Sequence, residues 1–262
     1  MNPRKYGRPP YQTVVIHGGP GAPGYMAPVA RELARDTGVL EPLQTKDSLD
    51  GQVRELHSQL TAHADLPATL IGSSWGAVLA LLITARYNTL VDKLILIGSA
   101  VFDRESSAGI ERRRMERLGE TERQRIAVLQ DEMKKASDEK RRKLFSEWGG
   151  ILSSADTYDE LPDELQAGDA LAPQPEIFQK VWPKFEKLRD TPGALKHEFS
   201  QITIPTVVIH GEYDPHPIDG IRPLLEDCIG NLRFYILTDC GHYPWRERHA
   251  KNKFYQIIRE VM

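Results

Sequence analysis

The chain has 262 residues, 40% apolar and 27% charged, and its 34 lysines and arginines against 37 aspartates and glutamates leave a net charge of −3. That much apolar material with so little net charge excludes a disordered chain, and the balance of signs gives no electrostatic footprint for nucleic acid. No run approaches the roughly 20 apolar residues of a membrane span, Met1–Tyr11 lacks the apolar core of a secretory signal, and the two cysteines, Cys228 and Cys240, fit a reduced, cytoplasmic protein.

The first element is Thr13-Val-Val-Ile-His17, a β-branched run that stops at Gly18-Gly19-Pro20-Gly21. A short apolar run bounded by turn residues reads as a buried strand of a parallel sheet. Met26, Val29 and Leu33 then recur at helical spacing up to Gly38, and a weaker strand follows at Val39–Leu43. Leu49, Val53, Leu56, Leu60 and Ala64 form a long helical pattern closed by Leu66-Pro67. Ala68–Gly72 is the next strand and runs through Ser73-Ser74-Trp75-Gly76 into an Ala/Leu-rich helix ending near Tyr87. Strands at Lys93–Gly98, Pro205–His210 and Leu232–Leu237 and a last helix at about Arg248–Val261 complete the series. Strands alternating with helices predict a mostly parallel sheet with helices on both faces. Right-handed crossovers would then line up the strand C-termini along one ligand-binding edge.

The alternation lapses between Phe102 and Ser200. Met115, Leu118, Ile126, Leu129 and Met133 keep a three- and four-residue rhythm among dense charges, so this stretch reads as helices with one apolar stripe. Trp148, Tyr158, Phe178, Trp182 and Phe185 gather aromatics beyond it. The expectation is a core of residues 1–102 and 201–262, with 103–200 inserted as a helical cap or lid over the strand ends.

Gly72-Ser73-Ser74-Trp75-Gly76 fits G-x-S-x-G between strand and helix. A serine at such a turn is lifted above the sheet, the small residues two away on each side permit the close approach, and the helix N-terminus points at developing negative charge. Ser74 is therefore the candidate nucleophile. Acyl transfer also needs two N–H donors for an oxyanion, one from the His17–Gly21 loop and one from the residue after the nucleophile, Trp75. Asp214, in Gly211-Glu-Tyr-Asp-Pro215, follows one strand, and His242, in Cys240-Gly-His-Tyr-Pro244, follows the next. A carboxylate there can fix the imidazole tautomer, and the imidazole can take the serine proton and return it to the leaving group. Ser, then Asp, then His, each just after a strand, is the chain order of one family of hydrolase triads. Asp103 and Glu212 remain alternative acids. His210, His216 and His242 match no zinc spacing, so no metal is expected; His17 and His210 close buried strands and read as structural histidines.

With these residues in hand, the chain resembles the α/β-hydrolase superfamily over nearly its whole length. The combination of His17-Gly-Gly-Pro-Gly21, Ser74-Trp75-Gly76, Gly211-x-x-Asp214 and Gly241-His242 is similar to the branch that contains the proline iminopeptidases. The resemblance implies Ser74 as nucleophile, Asp214 as acid, His242 as base, and the N–H groups of Gly19 and Trp75 as oxyanion hole, with no cofactor. It also implies that 103–200 is the cap. Members usually carry a two-strand lead-in, whereas only about a dozen residues precede Thr13 here. About six strands are therefore expected, with Val39–Leu43 near an edge that could favour pairing with a second copy. The iminopeptidases hold the substrate amine with cap glutamates, typically in a Trp-Glu pair. Phe145-Ser-Glu-Trp-Gly149 has glycine after the tryptophan, which leaves Glu147 as the substitute.

The function expected is a serine hydrolase acting on a small-molecule ester or amide through an acyl-enzyme. Trp148 and Trp182 would wall an apolar pocket and Glu147 would complete the substrate site. The alternatives are an iminopeptidase-like aminopeptidase, a C–C bond hydrolase, and a hydrolase-fold binding protein without catalysis.

Overall fold

The computed structural model describes residues 2–162, 165–166, 168–169 and 171–262. The strands are β1 (Arg4–Tyr6), β2 (Thr13–Ile16), β3 (Val39–Glu41), β4 (Ala68–Ser73), β5 (Val91–Ile97), β6 (Thr206–Gly211) and β7 (Leu232–Leu237). They form one sheet in the order β1-β3-β2-β4-β5-β6-β7, parallel except for the β1–β3 pair. Helices α1 (Ala27–Leu33), α2 (Leu49–His63), α3 (Trp75–Arg86), α9 (Arg222–Cys228) and α10 (Lys251–Val261) connect or follow these strands. Between β5 and β6 the chain runs instead through α4 (Arg104–Arg117), α5 (Glu120–Lys135), α6 (Asp138–Ala155), α7 (Pro175–Asp190) and α8 (Ala194–Phe199).

Side-chain alternation along the central strands divides the core into two layers. Val14, Ile16, Leu70, Leu94, Leu96 and Val208 pack with α2, α3, α7, α8 and α9 on one face. Val15, Ile71, Ile95, Ile97, Val207 and Ile209 pack with α1 and α10 on the other. Helix α3 is buried from Trp75 to Thr84 because it lies against the sheet beneath α2 and α8. The expected α/β-hydrolase fold is the observed one.

The sheet has seven strands where about six were expected. Arg4–Tyr6 has no apolar run to announce a strand, and its conformation comes from the edge it covers. Arg4 lies opposite Glu41 and Tyr6 opposite Val39. The Tyr6 hydroxyl donates to Glu41 Oε2 at 2.7 Å, and Arg4 adds an ion pair at 3.4 Å. β3 is thus one strand in from the edge, and the free edge that suggested pairing with a second copy is covered. Helix α1 also ends several residues before Gly38. A side chain at Gly38 would sit 2.4 Å from the Arg8 carbonyl, so this glycine serves the crossing of the N-terminal segment rather than a helix end.

Candidate active site

β4 runs into α3 without a loop, and Ser74 absorbs the turn at φ 54° and ψ −116°, an uncommon conformation for a residue with a side chain. The turn is tight on both sides. A Cβ on Gly72 would lie 2.3 Å from the Gly76 carbonyl, and one on Gly76 would lie 2.2 Å from that of Ile16. The spacing of glycines around Ser74 is therefore a steric requirement. The Ser74 N–H donates to the Ile97 carbonyl at 2.9 Å, which anchors the turn to the end of β5.

Asp214 sits three residues after β6 and is buried. Its Oδ2 accepts from His242 Nδ1 at 2.7 Å, and its Oδ1 accepts from His216 Nδ1 at 2.8 Å and from the His216 N–H at 2.9 Å. The two imidazoles stack with centroids 4.4 Å apart and an interplanar angle of 26°. Behind them, His210 Nε2 donates to the His216 carbonyl at 2.8 Å. Gly98 (φ 47°) lets the end of β5 pass beneath this cluster; a side chain there would lie 2.7 Å from the His242 carbonyl and 3.3 Å from Asp214 Oδ2.

Burial by itself would raise the Asp214 carboxyl, but the attraction of His242, then His216 and His210, holds it well below the usual carboxylate range. For His242 the order is reversed. Burial disfavours its cation, and the charge and hydrogen bond of Asp214 outweigh burial, so its pKa is raised. Burial takes His216 down to about 4, and the nearby His242 adds to the shift. Both rings share one carboxylate, and two imidazolium ions at this separation would repel, so His242 is the ring that takes the proton. Asp214, His216 and His242 each place one possible metal-ligand atom within 4.8 Å of the others. Both carboxylate oxygens are occupied by imidazole N–H groups, so the cluster is built for hydrogen bonding.

The loop after β2 is held by His17. Its Nε2 accepts from the Gln44 N–H at 3.1 Å, so Nδ1 carries the proton and donates to the Gly18 carbonyl at 2.9 Å. Burial lowers the His17 pKa to about 4, which keeps this tautomer neutral. Gly19 adopts φ 54°, and a Cβ on Gly18 would lie 3.0 Å from that of Ser74. Among the described residues, the N–H groups of Gly19 and Trp75 have no hydrogen-bond partner. Unpaired donors beside a serine are what a developing oxyanion needs.

Ser74, His242, His216, Gly19 and Trp75 line one cavity of about 300 Å³. Phe145, Trp148 and Leu152 of α6 and Phe178 and Trp182 of α7 line it too, so the expected tryptophans both reach the site. The aromatic rings form a continuous series. Phe145 meets Trp148 at 5.6 Å and Phe178 at 5.8 Å, Phe178 stacks on Trp182 at 5.9 Å, and Trp182 meets the Trp75 ring at 6.3 Å.

Glu147 is not part of this wall. Its carboxylate is exposed and pairs with Arg125 Nε at 2.6 Å and Nη2 at 2.8 Å, away from the cavity. Successive helical residues point about 100° apart, so turning Trp148 inward turns Glu147 out. The alternative acids are also elsewhere. Asp103 caps α4 by accepting from the Ser106 N–H at 2.7 Å, and Glu212 is exposed.

Four residues at the site lie outside the sequence reading of its machinery. The sequence offers His216 only as a metal ligand, although its position two residues after Asp214 is a signal for contact with that carboxylate. Arg114 and Asp156 line the cavity as a bidentate pair at 2.6 Å. Glu247 is fully buried and accepts from the N–H groups of Gly241, Tyr158 and Asp159 at 2.8, 2.8 and 2.9 Å. Arg114 and Asp156 are 42 residues apart, and Glu247 is 89 and 88 residues from Tyr158 and Asp159, so no local spacing links those partners.

The structure is similar to an esterase from Exiguobacterium antarcticum, with a TM-score of 0.67, 20% identity, and 99% of this chain and 94% of that one covered. It is likewise similar to MenH from S. aureus (TM-score 0.66, 20% identity, 99% and 97% covered). A third is a meta-cleavage product hydrolase from Pseudomonas fluorescens IP01 (0.64, 19%, 99% and 92%). At these identities the likeness speaks for the fold. No curated protein matches the sequence significantly. The family model for the alpha/beta hydrolase fold matches residues 43–245, a span that contains Ser74, Asp214 and His242. With a matched span of that extent, the chain belongs to the α/β-hydrolase fold family.

Proposed function

We propose that the protein is a serine hydrolase that cleaves small, neutral, apolar carboxylic esters through an acyl-enzyme. The observation that carries this reading is the junction of two features at one cavity. A serine in a strained elbow and an imidazole bound at 2.7 Å to a buried carboxylate share it with an aromatic wall.

In this reading Ser74 Oγ attacks the ester carbonyl while His242 Nε2 takes its proton. The negative charge that develops on the carbonyl oxygen is met by the N–H groups of Gly19 and Trp75. Collapse of the tetrahedral intermediate breaks the bond to the alcohol, which leaves with the proton from His242. Water, deprotonated by the same ring, then attacks the acyl-enzyme and frees Ser74. Asp214 stays ionised and holds the imidazolium, a role supported by its strongly lowered pKa. Residues 103–200 serve as a cap that closes an apolar chamber over the core of 1–102 and 201–262, and this raises the value of each electrostatic contact inside it.

The ester is favoured over an N-terminal amine substrate by the charges in the cavity. Its lining carboxylate, Asp156, is taken up by Arg114, and Glu147 is paired on the outer surface. A free ammonium would find no unpaired carboxylate among the described residues that line the cavity. The test is a panel of p-nitrophenyl esters against aminoacyl-p-nitroanilides, with fluorophosphonate labelling, on wild type and Ser74→Ala. Ester turnover and labelling that both vanish in the variant are expected. Preference for the anilides would favour an aminopeptidase, and a protein that neither labels nor turns over would be a binder.

A further inference from the structure

The Asp214 carboxylate serves two imidazoles, and the proposed reaction uses one. His216 lies on the cavity beside His242, is buried, and places its Nδ1 2.8 Å from Asp214 Oδ1 while its own N–H reaches the same oxygen at 2.9 Å. A carboxylate tied at one oxygen by two donors cannot rotate, so its other oxygen is fixed at 2.7 Å from His242 Nδ1. The stacked ring of His216, 4.4 Å away, supports the plane of the His242 imidazole from one side. The carbonyl of His216 is itself held by His210 at 2.8 Å. We propose that His216 is a positioning residue of the active site, which fixes Asp214 by hydrogen bonding and His242 by stacking and so sets the strength of the base.

This inference rests on the serine-hydrolase reading for its consequence in turnover but not for its geometry. The Nδ1–H of His216 draws on the charge of Asp214, and that charge is then less available to the His242 cation. The other ionisable groups around the two rings are His210 from β6, Arg114 and Asp156 from the insertion, and Tyr243 beside His242. None of these is altered by a substitution at 216 that preserves volume, so a change in His242 can be traced to the lost donor.

Two variants separate the parts of the role. His216→Phe keeps a flat ring against His242 and removes the side-chain donor, whereas His216→Asn restores a donor at the position of Nδ1 without the full ring. Titration of the His242 ring by nuclear magnetic resonance is the primary readout, because it needs no substrate. His216→Phe should raise the His242 pKa by about one unit and His216→Asn should return it to within a few tenths of wild type. The acid limb of kcat/KM for an ester substrate should move in parallel, with kcat lowered about tenfold or more in His216→Phe and largely recovered in His216→Asn. Equal His242 titration in wild type and His216→Phe, or an identical shift in both variants, would overturn the proposal. A wild type that titrates as expected but does not label with fluorophosphonate would instead sink the hydrolase reading and leave the His216 geometry standing.

Discussion

The N–H of His242 donates to the carbonyl of Asp156 at 2.8 Å, which binds the loop of the candidate base directly to the last turn of α6. Gly241 makes the contact possible, because a Cβ there would lie 2.1 Å from that same carbonyl. The Asp156 side chain faces the other way and is gripped by Arg114 of α4. Residues of α4 and α6 are thereby tied to the loop that carries His242.

That coupling predicts an effect at a distance. Asp156→Asn should cost about 2–4 kcal/mol of stability, because it strands the Arg114 cation in a largely desolvated site. It should also lower kcat by loosening the segment that positions His242. Arg114→Met combined with Asp156→Leu removes both charges and should recover much of the stability. Denaturant unfolding of Arg114→Met, Asp156→Leu and the double variant gives the coupling energy, and strict additivity would refute the link.

Ser74→Ala should lower kcat by at least about three orders of magnitude with almost no change in stability. The substitution leaves the backbone at φ 54° and removes one hydroxyl. Fluorophosphonate labelling and thermal unfolding on the same samples check both halves. A large drop in Tm alongside lost activity would point to a structural role for the serine.

Glycine-to-alanine changes should separate the elbow from the base. Gly72→Ala places a methyl 2.3 Å from a backbone carbonyl and should destabilise by about 3 kcal/mol or more. Gly98→Ala forces a side chain into φ 47° and against His242 and Asp214, so it should impair turnover beyond its effect on folding. Circular dichroism with ester kinetics at a temperature where both variants are folded distinguishes the two.

Acid should destabilise the fold well above the carboxylate range. Unfolded histidines protonate near 6.5, whereas His17 and His216 in the folded chain resist until about 4. Each therefore lowers stability by about 1.4 kcal/mol per pH unit as the pH falls through that window. The raised pKa of His242 acts oppositely: its stabilisation is complete below 6.5 and is lost as pH rises through the folded value. The lowered pKa of Asp214 contributes stability above the ordinary 3.8 that is lost as pH falls towards its folded value. Urea midpoints at pH 7, 6 and 5 should fall progressively, and the slope should ease by about one proton in His216→Asn. A flat profile would contradict the burial of these rings.

Truncating the aromatic wall should change substrate choice and leave the chemistry intact. Trp182→Ala should raise KM for medium-chain p-nitrophenyl esters about tenfold and shift the preference to bulkier acyl groups. Glu147→Gln should leave KM unchanged for every ester and anilide, since its partner Arg125 lies outside the cavity.

How far the sequence reached depended on whether a feature was local. The alternation of apolar runs with helical patterns, the glycines flanking Ser74, and the positions of Asp214 and His242 just after strands are all set by neighbours within a few residues. Parallel-sheet geometry then carries those strand ends to one edge, so fold class and candidate triad were legible together. What the chain could not announce were the pairings made between distant segments. β1 exists as a strand because β3 offers it an edge, Glu147 points outward because Trp148 is drawn in, and Arg114 meets Asp156 because α4 is carried back to the end of α6. These were decided by packing, because burial takes polar groups out of water and only the folded chain brings their partners within reach.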